Sequence, residues 1–378
     1  MRRFRAGVLV LAICSLSGAA RAAAFAEATH GPASLAFVRG VPVLHLYGSP
    51  EAMGEQHGKL LGKQMKVLHE QYLNKVLLPG GKDIGLRRQV LKLSRQMAKS
   101  IPRHYVREME ALAEGSGLAY EDVLLMNTLF DVKRGVLCTT VVAVGDRSAD
   151  GKPVFGRNLD FPTLGVAQKY SCVVVFHPAK GRAVASIAWP GLIGVLSGMN
   201  ELGVSAGVME VHLRGSQITA TPYAMVFRTA LTGATSTRDV LAVVKRRSRT
   251  SSNNLMICDA AGDAACAELG VRKVAVRRPV NGVLYATNHF RSKELGSPWM
   301  CWRIPRVRRA LKDGRKVDEA LAKKILHAVA YKTMTMQSIV FRPAGREFLL
   351  AIGETPATQH KYVRLTRSVL FPARGKAR

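Results

Sequence analysis

The sequence has few acidic side chains, and it has no long apolar run beyond its first two dozen residues. Lys and Arg number 56 against 26 Asp and Glu, which gives a formal charge of +30. A membrane-spanning helix needs about twenty consecutive apolar residues, so none is predicted in the mature chain. The HExxH, CxxC and GxxxxGK[ST] motifs, internal repeats and low-complexity linkers are also missing. We therefore predict neither a metal centre nor a bound cofactor.

The excess of basic residues is dispersed, with local clusters at 245–247, 306–309 and 373–378. These clusters lack interleaved aromatic residues and match no known nucleic-acid-binding module, so no specific nucleic-acid partner is expected. A scattered, solvated basic surface is the simpler interpretation. The alternative is non-specific attraction to an anionic cell envelope, which would suit a catalytically silent, strongly basic envelope-binding protein.

The N-terminus has the three parts of a signal peptide. Arg2, Arg3 and Arg5 provide the charged start, residues 6–16 are apolar, and residues 20–22 offer a small-x-small cleavage site. We therefore treat residues 1–22 as a leader and expect an exported protein, periplasmic or secreted, in an oxidising compartment.

Cysteine is scarce, and the number left after the leader is odd. Cys138, Cys172, Cys258, Cys266 and Cys301 remain, so at least one thiol has no partner within the chain. Cys258 and Cys266 flank a predicted hairpin turn and could pair. Cys138 is the candidate for the unpaired thiol.

Helices and strands come in blocks, which predicts an α+β protein. After an early strand near residues 36–46, the part from 23 to 137 is mostly helical, and Ser49-Pro50 is a typical helix start. From residue 138 to 378 the pattern changes to short β-rich runs interrupted by two pairs of helices. We expect this second part to be catalytic.

Cys138 stands where a basic, Gly-containing turn meets the β-branched run Thr139–Val144. This pattern predicts a thiol at the start of a buried strand. Most cysteines in strands are core filler. A thiol at a strand end is nevertheless held rigidly and can remain reachable, as a nucleophile must be.

Two further stretches carry polar side chains suited to catalysis. Gly156-Arg157-Asn158-Leu159-Asp160 should lie on the strand next to Cys138, so that Arg157 and Asp160 flank the thiol, unless they form an ordinary structural pair. Asn254 at the mouth of a later strand could donate to an oxyanion or simply form a turn.

Other polar and Gly-rich stretches are less specific. His289 could act as a base, but no carboxylate is adjacent in sequence, so a structural histidine is the simpler interpretation. The run Gly191–Gly198 lacks the spacing of a phosphate loop and predicts a turn near the pocket.

In order, the motifs resemble those of the N-terminal-nucleophile (Ntn) hydrolases, and most of all the acyl-coenzyme A:6-aminopenicillanate acyltransferase-like branch, which is related to choloylglycine hydrolase and acid ceramidase. The stretches that carry the resemblance are Met53–Leu61, Cys138-Thr139-Thr140, Gly156–Asp160, Asn254–Asp259 and Thr287-Asn288-His289-Phe290. The resemblance implies a four-layer αββα sandwich, preceded here by the helical segment, in which the chain cuts itself before the cysteine.

The resemblance also implies roles for individual residues. Cys138 would be the nucleophile and, once its α-amine is free, its own base, since an α-amine has an ordinary pKa of about 8. Asp160 would hold the amine, Arg157 would favour the thiolate, and Asn254 with backbone N–H groups would hold the oxyanion. Asn288 is a further possible member of the site.

The expected reaction is hydrolysis of a linear amide C–N bond, or transfer of its acyl group, through a thioester on Cys138. The substrate would be a small N-acyl or amide compound, and a lipid amide or ester hydrolase of the same fold is an alternative. The related acyltransferases are cut after glycine, whereas Leu137 precedes the cysteine here. A bulkier residue could slow this cut.

Overall fold

A computed structural model describes residues 24–77, 84–133, 135–213, 215–296 and 300–373. The predicted leader and most of the basic cluster at 373–378 lie outside these residues. The strands are β1 (Ala28–His30), β2 (Ala33–Val38), β3 (Val41–Gly48), β4 (Leu137–Ala143), β5 (Val154–Asp160), β6 (Cys172–Pro178), β7 (Val184–Ala188), β8 (Ser197–Asn200), β9 (Ser205–Glu210), β10 (Asn253–Cys258), β11 (Ala264–Leu269), β12 (Val274–Arg277), β13 (Val283–Ala286), β14 (Thr335–Arg342), β15 (Glu347–Ile352) and β16 (Val363–Leu365).

The first helix continues through a π-helical turn, His69–Leu73, into a short second helix. The helices are α1 (Pro50–Leu68), α2 (Asn74–Leu77), α3 (Ile84–Ala98), α4 (Arg103–Ser116), α5 (Tyr120–Val132), α6 (Tyr223–Gly233), α7 (Thr237–Arg246), α8 (Arg303–Ala310), α9 (Glu319–Ala328) and α10 (Arg367–Leu370). The predicted start of α1 is confirmed, because the Ser49 hydroxyl accepts the Ala52 N–H at 3.2 Å. None of the described helices is long and apolar enough to cross a membrane.

The strands form two sheets. The larger has ten strands in the order β1-β2-β3-β6-β7-β8-β9-β10-β11-β12, and the smaller has six in the order β13-β4-β5-β14-β15-β16. All neighbouring strands are antiparallel except β3 and β6. The predicted single strand near residues 36–46 is in fact the hairpin of β2 and β3, which turns at Arg39-Gly40, where both residues have positive φ.

The two sheets pack face to face, with helices on both outer faces. Side chains alternate along β4: Val142 points into the core between the sheets, whereas Val141 and Ala143 pack outward among residues of α8 and α9. On the other side, α1, α6 and α7 pack on the larger sheet. The predicted α+β class and its four-layer αββα arrangement are confirmed.

The chain before Cys138 belongs to the same body as the chain after it. Strand β3 pairs in parallel with β6 over the register Val43↔Val173 to Gly48↔Pro178. Residues on both sides of Cys138 therefore share one sheet and one core, and a cut at residue 137 would leave two tightly associated pieces.

The possible disulfide between Cys258 and Cys266 is not formed. In the β10–β11 ladder Cys258 lies opposite Ala264 and Cys266 lies opposite Met256, so the two thiols are offset by two residues. All five cysteines of the described residues are free.

The motif Met53–Leu61 is explained by close packing between α1 and α4. A Cβ added at Gly58 would lie 2.6 Å from both the Leu112 carbonyl oxygen and the Ser116 nitrogen, and one at Gly54 would lie 2.1 Å from the Glu108 carbonyl oxygen. Only glycine allows the two backbones to approach this closely.

We expect Gly58→Ala to destabilise the protein by about 1–3 kcal/mol, because the added methyl group overpacks a backbone contact that cannot yield. Urea unfolding followed by circular dichroism measures this. Gly233→Ala, where a Cβ meets nothing within 4 Å, is the matched control and should be neutral. Equal stability of the two variants would contradict the packing explanation.

Candidate active site

Cys138 is the second residue of β4, and its side chain is fully buried in the core between the sheets. It lies opposite Leu159 of β5, while Leu137 lies opposite Asp160. The predicted position at the start of a buried strand is confirmed. The thiol is thus held on a rigid element, next to the strand that carries the predicted partners.

Burial raises the pKa of the Cys138 thiol to about 11. The charges of Arg157 and Arg303 and the backbone N–H of Asp160 oppose this rise, whereas the Asp160 carboxylate adds to it. In the uncut chain the thiol is therefore overwhelmingly protonated at neutral pH.

Arg157 lies between the two sheets, on the same face of the small sheet as Cys138. Its Nε donates to the Ser197 hydroxyl and its Nη1 to the Val208 carbonyl, but Nη2 has no hydrogen-bond partner among the described residues. Gly207 of β9 makes room for it, since a Cβ there would lie 2.8 Å from Arg157 Cδ. The guanidinium group is therefore fixed near the thiol, and its Nη2 is a donor without a partner among the described residues.

The Asp160 side chain points to the opposite face of the small sheet, towards α8. The Thr335 hydroxyl donates to its Oδ1, and Oδ2 lies 4.0 Å from Arg303 Nη1. Burial raises the pKa of Asp160 to about 6, against the effects of Thr335, Arg303 and Arg157. Arg157 and Asp160 therefore approach Cys138 from two faces of the sheet rather than forming a pair with each other.

Asn288 follows β13, and its side-chain amide contacts the backbone on both sides of Leu137. The Cys138 N–H donates to Asn288 Oδ1 at 2.8 Å, and Asn288 Nδ2 donates to the carbonyls of Val136 at 2.9 Å and Glu210 at 2.8 Å. The side-chain amide thus bridges both sides of the Leu137–Cys138 peptide bond.

Glu210, the buried last residue of β9, binds the chain just before Cys138. Its Oε2 accepts the N–H groups of Gly135 and Val136, each at 2.8 Å. This residue was not predicted from the sequence, where its only signal is an acidic residue at the end of an apolar strand.

Arg303, the first residue of α8, binds the other side of Cys138. Its Nη1 donates to the Cys138 carbonyl at 2.6 Å and to the Thr139 hydroxyl at 3.2 Å, and its Nη2 donates to Asn288 Oδ1 at 2.9 Å. Arg303 was not predicted from the sequence either, because it lies 165 positions beyond Cys138 in an Arg-rich helix. We call Glu210, Asn288 and Arg303 the clamp.

Asn254 supports the loop that carries Asn288. Its Nδ2 donates to the carbonyls of Thr287 at 2.8 Å and His289 at 2.9 Å, so both amide protons are occupied and neither is available to an oxyanion. Of the two amides, Asn288 rather than Asn254 therefore contacts the Cys138 backbone. The His289 ring lies 3.0 Å from the Thr287 hydroxyl, which fits a structural histidine.

A second polar group lies near the thiol, at the junction of α5 and α6. Asp131 accepts the Thr250 hydroxyl and, at 3.2 Å, the Tyr223 N–H on Oδ1, whereas its Oδ2 and the Tyr223 hydroxyl have no partner among the described residues. Burial raises the pKa of Tyr223 well above its usual value, and the charges of Glu210, Asp131 and Cys138 add to the rise. These atoms form a polar wall beside the nucleophile.

An apolar cavity of about 50 Å³ lies next to the start of β4 and the end of β5. Phe161, which directly follows β5, forms one wall and lies beside Gly135. Leu192 lines another wall, which places the predicted Gly-rich turn at this cavity. The lining residues are Leu68, Tyr72, Leu73, Met126, Leu129, Phe130, Phe161, Ala167, Trp189, Pro190 and Leu192.

The arrangement offers a buried thiol, two guanidinium groups, a peptide bond clamped at both ends and an apolar recess. Within the described ranges, no three His, Cys, Asp or Glu side chains are grouped as metal ligands would be.

Two stacked sheets with helices on both outer faces are the arrangement that the resemblance to the Ntn hydrolases implies. Residues 147–346, just over half of the chain, match the family described as acyl-coenzyme A:6-aminopenicillanic acid acyl-transferase. The chain belongs to this family, which confirms the resemblance. The matched residues include every member of the clamp, Arg157 and Asp160, and begin nine positions after Cys138.

The chain is also similar to individual proteins over part of its length. An uncharacterized protein of Archaeoglobus fulgidus is 31% identical over 194 residues, which are 44% of this chain and 32% of that protein. The protein dcd1B of Dictyostelium discoideum is 22% identical over 182 residues, 43% of this chain and 36% of the relative. The chain thus matches about a third of the length of these curated relatives.

Among solved structures, the chain is similar to the Caenorhabditis elegans orthologue of N-acylethanolamine-hydrolyzing acid amidase. The identity is 19%, with 55% of this chain and 93% of that chain covered and a TM-score of 0.45. A mutant of conjugated bile acid hydrolase from Clostridium perfringens is 15% identical, with coverages of 61% and 92% and a TM-score of 0.44.

The polar wall predicts a pH dependence of stability. Burial raises the pKa of Asp131 to about 7, so the folded chain keeps a proton that the unfolded chain releases near pH 4. The free energy of unfolding should therefore fall as the pH rises from 4 to 7. We expect Asp131→Asn to make this fall shallower in urea unfolding measured between pH 4 and 8. An identical slope in the variant and the parent would contradict the assignment.

Proposed function

We propose that this protein is a cysteine Ntn hydrolase or acyltransferase that acts on a linear amide through a thioester on Cys138. The observation that carries the proposal is the clamp. Glu210, Asn288 and Arg303 together hold the N–H groups of residues 135, 136 and 138 and the carbonyls of residues 136 and 138. A core-filling cysteine needs no such set of buried polar contacts, which are costly to desolvate.

The clamp suits a cut of the Leu137–Cys138 bond. Cys138 Sγ would attack the Leu137 carbonyl carbon, and the C–N bond would break as the amide nitrogen takes up a proton, leaving a thioester. Water would then add to this carbonyl and release Leu137 as a carboxylate and Cys138 with a free thiol and amine. Asn288 holds the leaving nitrogen at 2.8 Å, so it keeps the peptide bond oriented while the bond breaks.

After the cut, Cys138 would carry both the nucleophile and the base. The new amine takes the place of the amide nitrogen beside Asn288 Oδ1, and its ordinary pKa of about 8 suits proton transfer at neutral pH. It would take the thiol proton as sulfur attacks the substrate carbonyl, and give it to the leaving amine. Asn288 Nδ2, freed when the Val136 carbonyl departs, would donate to the oxyanion.

The apolar cavity suggests an apolar acyl group. Its lining is entirely hydrophobic or aromatic, and its wall at Phe161 borders Gly135 of the segment that precedes the cut. In the uncut chain the 50 Å³ cavity has room only for a short chain. Movement of the cut chain end would enlarge the cavity, so that lipid amides and esters with longer acyl chains would also fit. The signal-like leader further suggests that the enzyme works outside the cytoplasm.

The turnover test uses the mature protein and a panel of N-acyl amides with acyl chains from acetyl to palmitoyl. We expect release of the free amine by the parent protein and none by Cys138→Ala, because the variant lacks the attacking sulfur. Cys172→Ala, which removes another fully buried strand thiol, is the matched control and should retain activity. Turnover that survives in Cys138→Ala would overturn the proposal.

The role of Glu210 is tested separately, by the rate of the cut. Glu210→Gln keeps the shape of the side chain but loses the charge-assisted hydrogen bonds to residues 135 and 136, so the cut should slow by about tenfold. Denaturing gels of freshly expressed protein measure the rate.

Glu268→Gln is the control for this variant. Glu268 is also a buried carboxylate that accepts two backbone N–H groups, those of Arg291 at 2.8 Å and Ser292 at 2.9 Å. It does not touch the segment before Cys138. Equal slowing in both variants would mean that general destabilisation, rather than the clamp, accounts for the effect.

A further inference from the structure

A large basic cleft lies on the outer face of the small sheet, between α8, α9 and the turn at residues 356–359. Its volume is about 810 Å³, which is within the usual range for small-molecule sites. Its lining contains five basic side chains and no carboxylate. The lining residues are Arg306, Arg309, Ala310, Arg315, His327, Ala328, Ala330, Lys332, Pro356 and Gln359.

The four permanent cations of this cleft are not neutralised. Within the part of the chain that the structure describes, none of Arg306, Arg309, Arg315 and Lys332 forms an ion pair with a carboxylate. The neighbouring acid Glu319 is instead shared by Arg342 and Arg364. Four like charges around one concavity repel each other, so the cleft attracts anions.

The helix ends do not explain these cations. Basic side chains near the carboxyl end of a helix often serve its free carbonyl groups. Here a different residue, Arg147, fills that role, because its Nη2 donates to the carbonyls of Leu311 at 2.9 Å and Arg315 at 3.3 Å. Arg147 therefore binds the carbonyl of the C-cap residue Leu311, and the guanidinium groups of the cleft remain available.

We propose that this cleft binds a small anion that carries more than one phosphate group. Guanidinium groups match phosphate oxygens in pairs, and the four exposed cations exceed what one phosphate dianion needs. The site is concave, which suits a soluble ligand of about nucleotide size better than the flat surface of an anionic membrane. The inference does not depend on the chemistry at Cys138.

The cleft and the clamp share one helix. Arg303 of the clamp begins α8, and Arg306 of the cleft follows one turn later. The Arg306 guanidinium lies 4.5 Å from the centre of the Trp302 ring, and Trp302 packs edge-on against Tyr331 at 5.4 Å. A ligand that moves Arg306 should therefore change the fluorescence of Trp302.

The test is titration of the full mature protein with pyrophosphate and with adenosine 3′,5′-bisphosphate at constant ionic strength. Calorimetry and tryptophan fluorescence should show saturable binding of about one ligand per chain. The double variant Arg309→Ala/Arg315→Ala should bind at least about tenfold more weakly, because two charge-assisted contacts are lost. Trp302→Phe should abolish the fluorescence change while calorimetry still detects binding.

The charge-matched control is Lys245→Ala/Arg246→Ala, which removes two exposed cations from the end of α7. It should leave the affinity within about twofold of the parent protein, since its charges lie outside the cleft. Circular dichroism melting confirms that each variant is folded. Equal weakening by both double variants, absence of saturable binding, or binding only to phosphatidylglycerol vesicles would overturn the proposal.

Discussion

The buried contacts that hold the peptide on both sides of Leu137–Cys138 are the constraint on which the site depends. Glu210, Asn288 and Arg303 come from the large sheet, from a loop after β13 and from the start of α8. They meet only because the two sheets stack and α8 packs on the outer face of the smaller one. The αββα layers thus bring these three side chains to the backbone of residues 135–138.

The same burial creates a problem that a cut of the chain would solve. With a pKa of about 11, the thiol of the uncut protein is a poor nucleophile at neutral pH. The amide nitrogen of Cys138 is no base, so no proton acceptor lies on the residue itself. A free amine at that position would supply a proton acceptor without any further side chain, at the part of the backbone where the polar groups converge.

The sequence was sufficient to predict those contacts of the site that join consecutive strands. Strands β4 and β5 are consecutive and joined by residues 144–153, so the pairing that brings Arg157 and Asp160 beside Cys138 could be predicted from β-branched runs and turn residues. The prediction from the sequence did not include that Arg157 and Asp160 point to opposite faces of the sheet, although strand alternation implies this for residues three apart.

Such patterns could not predict contacts between residues that are far apart in the sequence. Glu210 meets its partners across more than 70 positions and Arg303 across 165, and neither has a local sequence pattern that marks it. Asn254 lies at the start of β10 and Asn288 lies just after β13. Only the folded geometry shows that Asn254 donates both of its amide protons to the loop that presents Asn288. The most direct measurement of the central claim is the intact mass of the mature protein under denaturing conditions. The account predicts two fragments, the second beginning at Cys138, which remain associated when native because they share the larger sheet. A single uncut chain in an enzymatically active preparation would contradict it.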